Sequence, residues 1–163
     1  MKIKKLFASM LMLCSLASCS YYYSEHQVVS RLIEVDVSNG EITEHIDTHG
    51  GIHGDGETYA EIIFTDDSFE NKIKDHDGWR ELPLSENVQR IIYGSNKNRL
   101  FIDDNGNRKI PLIENGYYYF YDNQNEEGNK YDDSLFSSRP SFNYRVAIYN
   151  VDSKTLYYYQ LDT

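Results

Sequence analysis

The stretch FNYRVAIYNVDSKTLYYYQLDT, residues 142–163, decides the fold class. Its first half places an apolar residue at every second position, which is the spacing of a β-strand: Phe142, Tyr144, Val146 and Ile148. The polar segment Asn150–Lys154 predicts a turn, and the tyrosine-rich segment Thr155–Leu161 predicts a second strand. The stretch therefore predicts an antiparallel hairpin.

A second hairpin is predicted closer to the start of the chain. Residues 28–37 alternate in polarity, and the apolar positions of one face are Val29, Ile33, Val35 and Val37. Asn39-Gly40 follows, a dipeptide typical of type I′ turns because both central residues need a positive φ. We therefore predict a strand over Val28–Val37 and a hairpin that places Val37 opposite Ile42, Glu34 opposite His45 and Ile33 opposite Ile46.

A third strand and two short helices are predicted in the middle of the chain. The strand covers Thr58–Thr65, with Ala60, Ile62 and Phe64 on one face. The first helix covers Asp66–Asp75, where Phe69 and Ile73 lie four positions apart. The second helix follows Ser85, a good N-cap residue, and ends near Gly94.

Two further Asn-Gly pairs, at positions 105–106 and 115–116, predict a meander of short strands between residues 99 and 122. Because hairpins dominate, we predict an α+β fold with a mainly antiparallel sheet. The two short helices are expected between the third and fourth strands, packed on one face of the sheet.

The first residues have the parts of a secretory signal. Three lysines precede an apolar stretch over Leu6–Leu16, which is too short to span a bilayer as a helix. Leu16-Ala17-Ser18-Cys19 resembles the lipobox of bacterial lipoproteins. That resemblance implies that the Cys19 thiol receives a diacylglyceryl group and that a peptidase cuts before it. The alternative is an ordinary signal peptide with a chance cysteine.

This interpretation divides the chain into a signal peptide over residues 1–18, a lipidated tether over 19–26 and one α+β domain over 27–163. We expect an extracytoplasmic protein held on the cell membrane by lipid at Cys19. In a Gram-negative host, Ser20 after the lipidated cysteine would suit sorting to the outer membrane.

Composition excludes several classes of function. The three signal lysines leave with the signal peptide, so the net charge of the chain falls from −10 to −13. Such a charge repels phosphate backbones and argues against nucleic-acid binding. Cys14 is removed and Cys19 is lipidated, which leaves no thiol for catalysis or for a cysteine-based zinc site.

One cluster carries residue types that could do chemistry, between Glu44 and Glu57. We take six of its residues as a candidate functional loop: His45, Asp47, His49, His53, Asp55 and Glu57. The predicted strand directs His45, Asp47 and His49 away from the core, and the glycine-rich loop could bring His53 and Asp55 beside them. Imidazole and carboxylate groups suit zinc.

The spacing of these histidines matches no established zinc motif, however, so we predict no bound metal, no cofactor and no catalytic residue. A turn-rich connector with solvated histidines explains the same residues. The acidic loop Asp122–Asp133, with Tyr131, Phe136 and Arg139, is either a partner-binding lip or a solvated loop. The tyrosine runs are either structural or an aromatic binding platform.

Several segments resemble a family of small bacterial lipoproteins found mainly in Firmicutes. The matching segments are Asp47–Glu57 (DTHGGIHGDGE), Trp79–Leu84, Leu84–Asn87, Ile113–Tyr118 and Phe142–Thr163. The resemblance implies a shared fold and secretion, and it implies no activity.

The sequence thus predicts a membrane-anchored extracytoplasmic lipoprotein that binds another protein or a small ligand and is not an enzyme. The alternative is a metal-dependent hydrolase that uses the loop between His45 and Glu57. A purely structural role in the envelope is the third hypothesis.

Overall fold

The computed structural model describes residues 23–50, 54–94, 101–125, 128–134 and 141–163. The helices and strands of these residues follow the order α1 (Glu25–Ile33), β1 (Glu41–Asp47), β2 (Gly56–Ile63), α2 (Ser68–Ile73), β3 (Trp79–Glu81), α3 (Glu86–Tyr93), β4 (Gly116–Asp122), β5 (Asn143–Asn150) and β6 (Thr155–Asp162). The strands form one sheet in the order β1-β2-β6-β5-β4-β3, and every neighbouring pair is antiparallel. The predicted α+β class with a mainly antiparallel sheet is confirmed.

The C-terminal hairpin forms as predicted. Asn150 pairs with Thr155 across the turn between β5 and β6. The last strand, β6, also pairs with β2, so it lies inside the sheet with both faces covered. This position explains the tyrosine run at 157–159, because Tyr158 enters the core on one face while Tyr157 and Tyr159 enter the core on the other.

The predicted first strand is wrong, because residues 25–33 form helix α1. Ser24 caps the helix through a capping box, with the Gln27 backbone N–H donating to its hydroxyl and the Gln27 side chain accepting from its backbone N–H. Val29 and Ile33 are buried in this helix as they would be in a strand. Residues four apart share a face in both structures, so their spacing alone could not decide.

The predicted hairpin register is also wrong, because residues 25–33 form a helix and cannot pair with β1. Asn39-Gly40 joins α1 to β1, and a Cβ atom on Gly40 would clash with the Ile62 side chain. The glycine therefore serves a close approach and not a type I′ turn. Strand β1 pairs with β2, which places Ile42 opposite Ile62 and His45 opposite Ala60.

Both predicted helices exist at the predicted residues, but their placement between the third and fourth strands is not confirmed. Helix α2 lies between β2 and β3, and α3 lies between β3 and β4. Ser85 caps α3 by accepting a hydrogen bond from the Val88 backbone N–H. No helix among the described residues is long and apolar enough to cross a membrane.

The helices pack on both faces of the sheet and not on one face as predicted. Helices α1 and α2 cover one core, which includes Val29, Ile33, Phe64, Phe69, Trp79 and Tyr149. Helix α3 covers the opposite core, which includes Val88, Ile92, Phe101, Tyr118, Tyr144 and Tyr159. The two predicted helices, α2 and α3, therefore lie on opposite faces of the sheet, and the unpredicted helix α1 lies on the same face as α2.

The meander is only partly present. Asn105-Gly106 does form a turn, with φ of +81° at Gly106, but the chain beside it makes a single isolated bridge between Ile102 and Arg108. Residues 110–113 form no strand, so no hairpin exists at Asn115-Gly116. Gly116 instead begins β4 opposite Asn150, at a point where a side chain would clash with the Tyr149 backbone.

Candidate functional site

The structure places four residues at one end of the face that α1 covers, and we call this group the polar end: Asp47, His49, Thr58 and Asp162. Asp47 ends β1 directly opposite Thr58 of β2, and Asp162 ends β6. His49 follows β1 by two residues, so its ring reaches Asp162 across the intervening strand. The polar end therefore joins three strands.

His49 lies between two carboxylates. Its Nδ1 is 2.6 Å from Asp47 Oδ1, and its Nε2 is 2.9 Å from Asp162 Oδ2. The His49 backbone N–H also donates to Asp47 Oδ1 at 2.9 Å. Thr58 Oγ1 completes the group, 3.2 Å from the ring Nδ1 and 3.4 Å from Asp47 Oδ1.

These contacts shift the pKa values of His49 and Asp47 in the directions that favour an ion pair between them. Burial opposes the charged imidazole, but the hydrogen bonds to Asp47 and Asp162 outweigh it and raise the pKa of His49. Burial likewise opposes the charged form of Asp47, but the hydrogen bonds from the His49 backbone and ring outweigh it and lower the pKa of that carboxyl group. The site therefore favours an imidazolium between carboxylates.

A chain of hydrogen bonds leads from the polar end into the core. Gln160 Nε2 donates to Asp162 Oδ2, and Gln160 Oε1 accepts from the Tyr158 hydroxyl at 2.6 Å. Tyr158 is fully buried, and that burial raises its pKa. On the next strand, Arg145 Nη1 donates to the Leu32 carbonyl oxygen at 3.0 Å and so binds the C-terminal turn of α1.

The five described residues of the predicted functional loop do not form one group. His45 and Asp47 share a face, but that face lies under α1 and not away from the core, and His45 Nδ1 is 3.2 Å from Glu25 Oε1. Asp55 is exposed, and Glu57 is the second residue of β2, with its backbone bonded to Thr48. His53 and Cys19 lie outside the described residues.

Both nitrogens of the His49 ring contact carboxylates, so in this arrangement neither ring nitrogen is left to accept a proton or bind a metal. Among the residues that the structure describes, no group of three or more His, Cys, Asp or Glu side chains could hold a metal ion. The geometry is that of a hydrogen-bonded cross-link between β1 and β6.

Asp47 and His49 were predicted from the sequence as site residues, whereas Asp162, Gln160 and Arg145 were not. No local motif marks these three residues. Only the pairing of β6 with β2 brings Asp162 and Gln160 near His49, and that pairing joins distant parts of the chain.

Part of the predicted acidic loop packs onto the domain. Tyr131 donates a hydrogen bond to Glu34 Oε2 at 2.7 Å, which raises the pKa of Tyr131 to about 12. Its ring meets Tyr119 and Tyr121 edge-on, with centroids 5.8 Å and 5.7 Å away. Asn87 Nδ2 donates to the Asp133 carbonyl at 2.7 Å. Phe136 and Arg139 lie outside the described residues.

A cleft of about 690 Å³ opens beside α1 and includes Tyr23, His26, Gln27, Arg31 and Val35 in its walls. The Arg31 guanidinium lies 5.1 Å from the centroid of the Tyr23 ring. This cleft lies where the described chain begins.

The chain matches no protein-family model, and no curated protein sequence or solved structure is significantly similar to it. The resemblance to small bacterial lipoproteins stays a prediction.

Proposed function

We propose that the chain is an extracytoplasmic protein, anchored to a membrane by lipid on Cys19, that binds a protein or a small ligand. The observation that carries the proposal is the capped start of α1. The capping box of Ser24 begins α1, the first described helix, five residues after the predicted lipidation site. Signal, anchor and domain therefore follow one another directly in the sequence.

This spacing keeps the domain close to the membrane surface. Five residues reach at most roughly 18 Å when fully extended, at about 3.6 Å per residue. The cleft beside α1 lies at the end of these five residues, because Tyr23 and Ser24 belong to its walls. A partner in the same envelope would meet this cleft first, so we assign it as the candidate binding surface.

Three of the described histidines are paired with carboxylates of the domain itself. His49 is held by Asp47 and Asp162, His45 lies against Glu25, and His76 Nε2 lies 3.5 Å from Glu34. Each of these histidines has a local carboxylate partner. Among the residues that the structure describes, no observation favours the metal-dependent hydrolase.

The anchor is tested by feeding labelled fatty acid to cells that express the full chain. We expect label in the wild-type protein and none in Cys19→Ser, because the thiol is the acceptor. Equal labelling of both proteins would contradict the anchor.

The binding surface is tested with a photo-reactive residue in the membrane-anchored protein. Two exposed arginines give a matched pair, because Arg31 lies on α1 in the cleft and Arg90 lies on α3 on the opposite face. We expect cross-linking in the native envelope from position 31 and much less from position 90. Equal yields, or a higher yield from position 90, would contradict the assignment of the cleft.

A further inference from the structure

The geometry of the polar end fixes the protonation of His49. An ionised carboxylate only accepts hydrogen bonds, and each ring nitrogen of His49 faces one carboxylate oxygen within 3 Å. A neutral imidazole donates from one nitrogen only, so it could satisfy Asp47 or Asp162 but not both. Both contacts form together only when the ring carries two protons.

The electrostatic field of the neighbouring residues keeps both protons on the His49 ring. Asp47 and His45 face the site from β1, the uncharged Thr58 faces it from β2, and Asp162, Gln160 and Tyr158 face it from β6. Arg145 of β5 lies opposite Gln160, but its guanidinium donates to the Leu32 carbonyl and to Asn123. The imidazolium is therefore the cation that separates the two carboxylates.

We propose that His49 is a pH-sensitive latch that fastens the end of β1 to the end of β6 across the intervening strand β2. When the ring loses a proton, one of the two carboxylates loses its donor, and the two acids then face each other across a neutral ring. The fastening opens, while the rest of the sheet stays paired. An extracytoplasmic protein experiences the pH of its surroundings, so the latch would respond to alkalinisation.

The pH window follows from the direction of the two pKa shifts. The folded pKa of His49 is raised above its usual 6.5, so its stabilisation is complete below that value and is lost as the pH rises through the raised pKa. The folded pKa of Asp47 is lowered below its usual 3.8, so its stabilisation is lost only as the pH falls through that lowered value. The latch is closed between these two limits.

The test combines NMR of the imidazole ring with amide hydrogen exchange on the mature domain. We expect the ring of His49 to be doubly protonated at pH 6 and to titrate above 6.5. As it titrates, the protection of the Thr48 amide, which is bonded to Glu57 across the strand ends, should fall by about tenfold. Protection of the Ala147 amide in the middle of β5 should not change.

Two variants separate the latch from general fraying. Asp162→Asn keeps the size of the side chain and should lower the pH at which Thr48 loses protection. His76→Gln removes a histidine that meets one carboxylate, Glu34, and should leave that pH unchanged. A His49 ring that is neutral at pH 6, or Thr48 protection that is the same at pH 6 and pH 9, would overturn the proposal. Because both are wild-type measurements, they decide even if Asp162→Asn does not fold.

Discussion

The two ends of the sheet face under α1 and α2 are built in different ways. At the end near the β5–β6 turn, Phe64 stacks on Phe69 with centroids 4.5 Å apart, and Tyr149 packs against both rings. We call these three residues the aromatic end. At the other end of the same strands, the polar end holds β1, β2 and β6 together through charged hydrogen bonds.

The difference shows how one sheet uses two sources of stability. Burial of aromatic surface gains about 25 cal/mol per Å² and does not depend on the protonation of any group. Charge-assisted hydrogen bonds contribute less in net terms and depend on pH. We therefore expect the aromatic end to set the overall stability and the polar end to set its pH dependence.

The largest expected effect tests the aromatic end. Phe69→Ala removes a fully buried ring that contacts Phe64, Trp79 and Tyr149, and should lower the free energy of unfolding by about 3–5 kcal/mol. Urea denaturation at pH 6 and pH 9 should give the same loss. The control is Leu112→Ala, since Leu112 is 77% exposed and its loss should cost less than about 0.5 kcal/mol.

The second prediction concerns the polar end. His49→Gln removes the imidazolium from between two carboxylates and should cost about 1–3 kcal/mol at pH 6, measured by urea denaturation. The cost should shrink at pH 9, because the wild-type ring loses its charge as the pH rises through its raised pKa. An equal cost at both pH values would contradict the expectation that the stabilisation by the polar end, unlike that by the aromatic end, depends on pH.

A smaller effect is expected where the acidic loop meets α1. Tyr131→Phe keeps the ring contacts with Tyr119 and Tyr121 but removes the hydrogen bond to Glu34, and should cost about 1 kcal/mol. The hydroxyl stays protonated up to its pKa of about 12, so this cost should be constant between pH 6 and pH 9. The matched control, Tyr23→Phe, changes a tyrosine that is 53% exposed.

The smallest expected effect is the metal content of the protein. A bound metal would give the polar end a different role. We expect less than one equivalent of zinc, nickel, copper or manganese in the dialysed mature domain. Elemental analysis of the wild type, beside His49→Ala and His53→Ala, is the measurement. One metal per chain that disappears in both variants would make the polar end part of a metal site and would revive the hydrolase hypothesis.

The sequence allowed prediction of the parts of the fold that local patterns determine. The alternation of Tyr144, Val146 and Ile148 predicted β5, and the spacing of Phe69 and Ile73 predicted α2. Helix α1 was mistaken for a strand because the apolar spacing of Val29 and Ile33 fits both structures. The capping box of Ser24 and Gln27 was the local signal that could have distinguished them.

The site was harder to predict than the fold, because its residues come together through long-range pairing. Asp47 and His49 stand two residues apart and were recognised as a candidate pair. Their third partner, Asp162, lies at the end of a strand that reaches them only because β6 pairs with β2. No property of the sequence around Asp162 indicates a carboxylate that binds a histidine.

The position of β6 also determines when the protein can fold. Thr58 of β2 pairs with Gln160 of β6, and Ala147 of β5 pairs with Tyr158 of the same strand. Until β6 is present, β1–β2 and β3–β4–β5 are two separate strand groups, and the pairing that unites them spans most of the chain. For a chain that crosses a membrane unfolded, as we propose for this one, this order delays compaction until β6 has passed through the translocation channel.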